Sequence, residues 1–198
     1  MSKIEQVLKI ADQNGIIRTR DIEKAGISRN YLYKMCKDKQ LIKLSRGLYM
    51  HPDMPESENF NIIEVAKKIP NSVICLISAL TFYEVTTQIS HEVWIAIPKG
   101  AWRPCIDYPP LNITFVSEPA YSFGIQEQTI NGVAVKIYSL EKTIADCFKF
   151  RNKIGLDVAI EGLKEAWISR KISMDKLVEA ANIIRISKRI RPYLEAII

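Results

Sequence analysis

The sequence predicts an α+β protein built from two parts. Three observations carry this. The first quarter places apolar residues at helical spacing between glycine turns, the middle holds three β-rich runs, and everything after Ser139 returns to helical periodicity. With 198 residues, 47% of them hydrophobic and 25% charged, the chain can bury a core without disulfide or metal staples.

Ile4, Val7, Leu8, Ile10 and Ala11 recur on three- and four-residue steps, so a first helix is expected to close at Asn14-Gly15. Thr19 can cap a short second helix over residues 20–25, which Gly26 ends. After the turn Gly26-Ile27-Ser28, the Ser28 hydroxyl is placed to cap a third helix over about residues 29–39. Two apolar runs, 41–44 and 48–50, flank Ser45-Arg46-Gly47 and read as a hairpin. Helix, tight turn, helix and hairpin together predict a winged helix-turn-helix. The prolines and acids of residues 51–56 put its end near Pro55, dividing the chain into domains 1–55 and 56–198.

In the second part, residues 60–69 and 73–84 carry helical patterns separated by Pro70-Asn71-Ser72. Residues 92–97, 111–116 and 132–138 are β-rich, with a loop over 98–110. Helices are expected over 140–150, 156–169, 174–184 and from 187 onward, so a small sheet joins a C-terminal helical cluster. The start has no apolar signal core, and the longest apolar stretch, 73–83, is interrupted by Ser78 and Thr81 and too short for a bilayer. The cysteines Cys36, Cys75, Cys105 and Cys147 stand 39, 30 and 42 positions apart, which suits a reducing cytoplasm and suggests neither a disulfide ladder nor a metal knuckle. Cys36, Cys75 and Cys147 sit among apolar neighbours and read as small core residues.

The net charge of +6 is concentrated in front: residues 1–51 hold eleven Lys and Arg against five acids, and the rest of the chain balances. A basic head on a neutral body suits a polyanion. On the third helix, Met35 and Cys36 fall within roughly 60° of Leu32 at about 100° per residue, while Asn30, Tyr33, Lys34 and Lys37 gather opposite. One face packs. The other offers an amide suited to adenine, a phenol and two cations, with Ser28 and Arg29 at the helix entrance, and is a candidate for reading base edges in the major groove. Arg18 and Arg20, beside the second helix, and Arg46, at the wing tip, are candidates for phosphates.

Several apparent catalytic motifs lack their partners. Ser139-Leu140-Glu141-Lys142 matches S-x-x-K, but no S-D-N or K-T-G follows, and Ser139 stands where a helix cap belongs. Val133-Ala134-Val135-Lys136 has the form of the kinase strand lysine without a glycine-rich loop, H-R-D or D-F-G, and reads as a strand with an exposed lysine. His51 and His91 are isolated, so no metal is expected, and no cofactor or catalytic residue is assigned. Lys142 and Asp146 lie one helical turn apart and read as a surface or interdomain ion pair. Two further basic clusters, Lys142, Lys149, Arg151 and Lys153, then Arg185, Lys188, Arg189 and Arg191, fit either solvated helix faces or a second binding patch.

The runs Gly26-Ile27-Ser28-Arg29-Asn30-Tyr31-Leu32-Tyr33 and Leu41-Ile42-Lys43-Leu44-Ser45-Arg46-Gly47-Leu48-Tyr49 resemble the N-terminal module of the AbiEi antitoxins, bacterial antiphage defence proteins. The resemblance continues through Cys75-Leu76-Ile77-Ser78-Ala79-Leu80-Thr81-Phe82-Tyr83, Tyr138-Ser139-Leu140-Glu141-Lys142-Thr143-Ile144-Ala145-Asp146-Cys147-Phe148 and Arg151-Asn152-Lys153-Ile154-Gly155-Leu156-Asp157-Val158-Ala159. It implies a non-enzymatic winged-helix antitoxin that represses its own operon at inverted repeats in double-stranded DNA. It also implies that the protein counteracts a nucleotidyltransferase-like toxin, with or without touching it, and has no membrane partner. By position, Arg29, Asn30, Tyr33, Lys34 and Arg46 would contact DNA, and Lys149, Arg151, Lys153, Arg185, Lys188, Arg189 and Arg191 would form the antitoxin patch. Two other readings compete. One is a stand-alone regulator sensing a small ligand in a pocket around Trp94, Trp102 and Tyr108. The other is a nucleic-acid-processing enzyme using Glu141 and Asp146.

Overall fold

The computed structural model describes residues 2–53 and 59–197, so the expected boundary near Pro55 lies outside the described residues. The head opens with α1 (Lys3–Asn14), capped reciprocally by the Ser2 side chain and Glu5. β1 (Ile16–Arg18), α2 (Thr19–Lys24), α3 (Asn30–Lys37), β2 (Ile42–Ser45) and β3 (Leu48–Met50) complete it. The three strands form an antiparallel sheet in the order β1-β3-β2. This is the winged arrangement that the sequence predicts, with one strand added: Ile16-Ile17 pairs with Tyr49 and Met50 at the edge of the wing sheet. Val7, Ala11, Ile17, Ile22, Ile27, Leu32, Met35, Leu41 and Tyr49 make the head's core.

The body runs α4 (Phe60–Lys68), β4 (Val73–Ile74), α5 (Leu76–Phe82), β5 (Val93–Pro98), β6 (Leu111–Val116), β7 (Ile125–Ile130) and β8 (Val133–Tyr138). It ends in α6 (Leu140–Lys149), α7 (Arg151–Ile154), α8 (Leu156–Ile168), α9 (Met174–Ile183) and α10 (Ser187–Glu195). Its five strands form a mixed sheet in the order β6-β5-β4-β8-β7. β5–β6 and β4–β8 are parallel, and β4–β5 and β7–β8 are antiparallel. Strand alternation divides the core in two. Val93, Ile95 and Ile97 face one side of the sheet with Ile113, Val133, Val135 and Ile137, whereas Trp94, Ala96 and Val116 face the helical cluster.

Two expectations change. The pattern over residues 73–84 predicts one helix, but Val73 and Ile74 are a strand, Cys75 is extended, and the helix starts only at Leu76. The reason is tertiary: Val73 and Ile74 fill the gap between β5 and β8, where β-branched residues pack on both faces of the sheet. The second change is β7, unassigned from sequence, which pairs with β8 along its whole length.

The head is not merely tethered. Ile16 of β1 and Leu48 of β3 are buried in the same cluster as Ile62, Ile63 and Val65 of α4 and the β8 valines. A Cβ on Gly132, in the β7–β8 turn, would stand 3.2 Å from the Gly15 amide nitrogen, so that turn touches the end of α1.

Candidate nucleic-acid interface

α3 separates its faces cleanly. Leu32 and Met35 have no exposed surface and Cys36 is half-buried, while Asn30, Tyr33, Lys34 and Lys37 are exposed. Ser28, expected to cap α3, stands one residue before the N-cap: that position is Arg29, which makes no side-chain cap bond, and the Ser28 hydroxyl accepts a long local hydrogen bond from the Asn30 amide at 3.4 Å. Arg29 is exposed at that entrance. Tyr33 is 56% exposed and stands beside Tyr49, whose phenol is pushed up by burial first and by Tyr33 second. A phenol standing beside the wing sheet presents aromatic surface, at little entropic cost, to whatever α3 meets.

Arg46 is exposed in the turn between β2 and β3, which closes through Gly47 at φ +80°. The Thr19 amide donates to the Gly47 carbonyl at 3.1 Å, tying this wing tip to the start of α2. Arg20, on α2, is also exposed. Arg18 is different. Its Nη1 donates to the Lys67 carbonyl on α4 at 2.6 Å, and its Nε lies 3.7 Å from the Asp21 carboxylate. Burial, with Arg20 adding to it, lowers the Arg18 guanidinium below its usual value. The structure therefore brings Arg20, Ser28, Arg29, Asn30, Tyr33, Lys34, Lys37 and Arg46 to open surface, and turns Arg18 inward to bind the head to α4. Nothing in the sequence distinguishes Arg18 from Arg20, because the partner that captures it is 49 residues away.

The second set of basic residues converges. Lys149 at the end of α6 and Arg185 after α9 line one cleft, although 36 positions separate them. Arg151 is half-buried and donates from Nη1 to the Phe148 carbonyl at 3.2 Å, and Lys153 is exposed. Lys188, Arg189 and Arg191 are exposed on α10, where Arg191 Nε donates to Glu195 at 2.7 Å.

Lys142 and Asp146, expected at the surface or between domains, lie inside the core. Lys142 is wholly buried, donates to Asp146 Oδ2 and stands 4.2 Å above the Tyr138 ring centroid. Asp146 is 2% exposed, so its carboxylate cannot meet a polynucleotide, and Glu141 accepts from the Ser173 amide at 3.3 Å. The acids that suggested an enzyme are thereby committed to structure. Ser139 Oγ accepts from the Lys142 amide at 3.3 Å, which is the helix cap the sequence predicts. Lys136 is half-buried on β8 rather than exposed. The three aromatic residues of the ligand-sensing reading differ in exposure. Trp94 is buried and donates to Ser90 Oγ at 3.1 Å, Trp102 is 96% exposed and Tyr108 is 54% exposed. Among the described residues, no group of three His, Cys, Asp or Glu could hold a metal ion, and no helix is long and apolar enough to cross a membrane.

No curated protein matches the chain. The sequence blocks around Cys75, Tyr138 and Arg151 lie outside the segment matched by the family model. That segment, residues 5–52, spans almost the whole of the head just described, from the first turn of α1 through β3, and it matches the family described as "Transcriptional regulator, AbiEi antitoxin".

Proposed function

We propose that the protein is a cytoplasmic DNA-binding transcriptional regulator and the antitoxin of a toxin–antitoxin pair, with residues 1–55 as its DNA-binding domain and residues 56–198 as its partner domain. The observation that carries this is α3: within eight residues it buries Leu32 and Met35 completely and exposes Asn30, Tyr33, Lys34 and Lys37. The charge excess of the head and its family match support the same reading.

On duplex DNA, α3 enters the major groove with its N-terminal end toward the bases. The Asn30 amide pairs with the N6 and N7 edge of an adenine, and Tyr33 packs against a neighbouring base or methyl group. Arg20, Arg29, Lys34, Lys37 and Arg46 neutralise about five phosphates, fixing register without reading sequence. Bound at inverted repeats upstream of its own operon, the protein represses transcription by occupying the site. The body then counteracts a toxin of nucleotidyltransferase type, for which direct contact is not required.

Binding to its own upstream duplex across a salt series tests the head. Log affinity should fall against log salt with a slope of about −4.5, and Lys34→Ala should make that slope shallower by about one. Asn30→Ala should cost roughly 1–3 kcal/mol on the specific site and little on unrelated DNA. An affinity indifferent to salt and to both substitutions would overturn the proposal.

A further inference from the structure

The cleft shared by Lys149 and Arg185 holds about 340 Å³, between the ends of α6 and α9 and the segment that follows β6. This is a usual size for a pocket taking one small ring-bearing group, toward the low end of about 300–1,000 Å³. Its walls are unlike one another. Phe115, 43% exposed at the end of β6, Pro119 and Phe150 supply flat apolar surface, and Lys149 and Arg185 supply two cations. The Nζ atoms of Lys149 and Lys153 stand 5.7 and 5.9 Å from the Phe150 ring centroid.

Among the described residues, neither Lys149 nor Arg185 has a carboxylate within ion-pair distance. The remaining acid of the cleft, Glu118, is turned back on its own loop, where Oε2 accepts from the Ser122 amide and hydroxyl. Burial lowers the Lys149 ammonium, with Asp146 opposing the shift and Arg185 adding to it. A half-buried ammonium facing a guanidinium, with no carboxylate paired to either, is a place where an anion gains more than it would at an open surface. An aromatic platform next to an anion site is the pairing that a nucleotide requires. Lys153, exposed and with its Nζ beside the Phe150 ring, carries the cations past the cleft, which suits a chain of phosphates better than a single one.

We infer that this cleft binds single-stranded nucleic acid, seating one nucleotide with its phosphate between Lys149 and Arg185 and its base against Phe115. The site is separate from the α3 face and does not depend on the reading of duplex DNA by the head.

The test uses the full chain with Arg20, Arg29, Lys34, Lys37 and Arg46 all replaced by Ala, exposed positions whose loss leaves the head little charge for a polynucleotide, and a fluorescein-labelled uridine oligonucleotide of about 12 residues, within the usual span of single-strand sites. Adding Lys149→Ala with Arg185→Ala should weaken binding at least tenfold and make the log–log salt slope shallower by about 0.7, the share of the one phosphate seated between them on a single strand. Phe115→Ala should weaken binding about fivefold or more and leave the slope unchanged. Arg185→Glu alters an exposed side chain, so it should weaken binding on its own even if Lys149→Ala disturbs folding. Retention of full affinity by Arg185→Glu and Phe115→Ala overturns the inference. So does displacement by uridine monophosphate as effective as by the oligonucleotide at equal nucleotide concentration. Because the head is already disabled, failure here leaves the duplex reading untouched.

Discussion

Lys142 and Asp146 spend charge where water cannot follow. Burial pushes the Asp146 carboxyl up from its usual range while the adjacent Lys142 ammonium pulls it back. Among the described residues its Oδ1 has no hydrogen-bond partner, so the pair is only partly satisfied. Such a pair adds little net stability, but breaking one side strands the other. Asp146→Asn should therefore cost about 3–5 kcal/mol, read from the denaturant midpoint, and Lys142→Met combined with Asp146→Leu should recover most of that loss. The four-residue step between them was visible in the sequence; their depth was not, because spacing on a helix gives neighbours and not distance from solvent. The available signal was on the opposite side of α6: Ile144, Ala145, Cys147 and Phe148 leave that helix without a polar face. Arg18 makes the same point at the surface, since a local reading cannot foresee a carbonyl supplied by α4.

Among the elements, those with strong local periodicity were legible and those decided by partners were not. α3 could be placed to within two residues and its faces assigned, because Leu32 and Met35 are forced together by the helical repeat. β4 is two residues long and owes its existence to the strands on either side. β7 reads Ile-Gln-Glu-Gln-Thr-Ile, too polar to announce a strand, because it is an edge strand with one face in water. What could have found it is Asn131-Gly132, a pair suited to the two central residues of a tight hairpin turn. Both have positive φ, 47° and 74°, as a type I′ turn demands. Gly132→Ala should cost about 1–2 kcal/mol in thermal or chemical unfolding, from the left-handed conformation and from crowding of the Gly15 backbone.

For the molecule as a whole, charge position was the most informative sequence property. A +6 excess confined to the first 51 residues separated a basic head from a balanced body before any element was assigned. What charge could not show was convergence in three dimensions, since Lys149 and Arg185 meet only after α6 and α9 pack. The division of labour proposed for the two parts has a cellular test. In cells expressing the cognate toxin, the chain carrying Asn30→Ala, supplied from an independent promoter, should still restore growth. Charge reversal at Lys188 and Arg189 should lower the surviving colony count by tenfold or more. Equal rescue by both variants would remove the basic surface from the antitoxin role.

Ile16 and Leu48 belong at once to the wing sheet and to the core built by α4 and β8, and Arg18 crosses the same seam to the Lys67 carbonyl. Backbone continuity is thus not what holds the head to the rest of the protein. A protease that severed the chain once between Met50 and Phe60 would liberate neither piece. The nicked molecule would keep both halves clasped through oily side chains, and the proposed grip on the duplex would outlast the cut until the clasp itself melted.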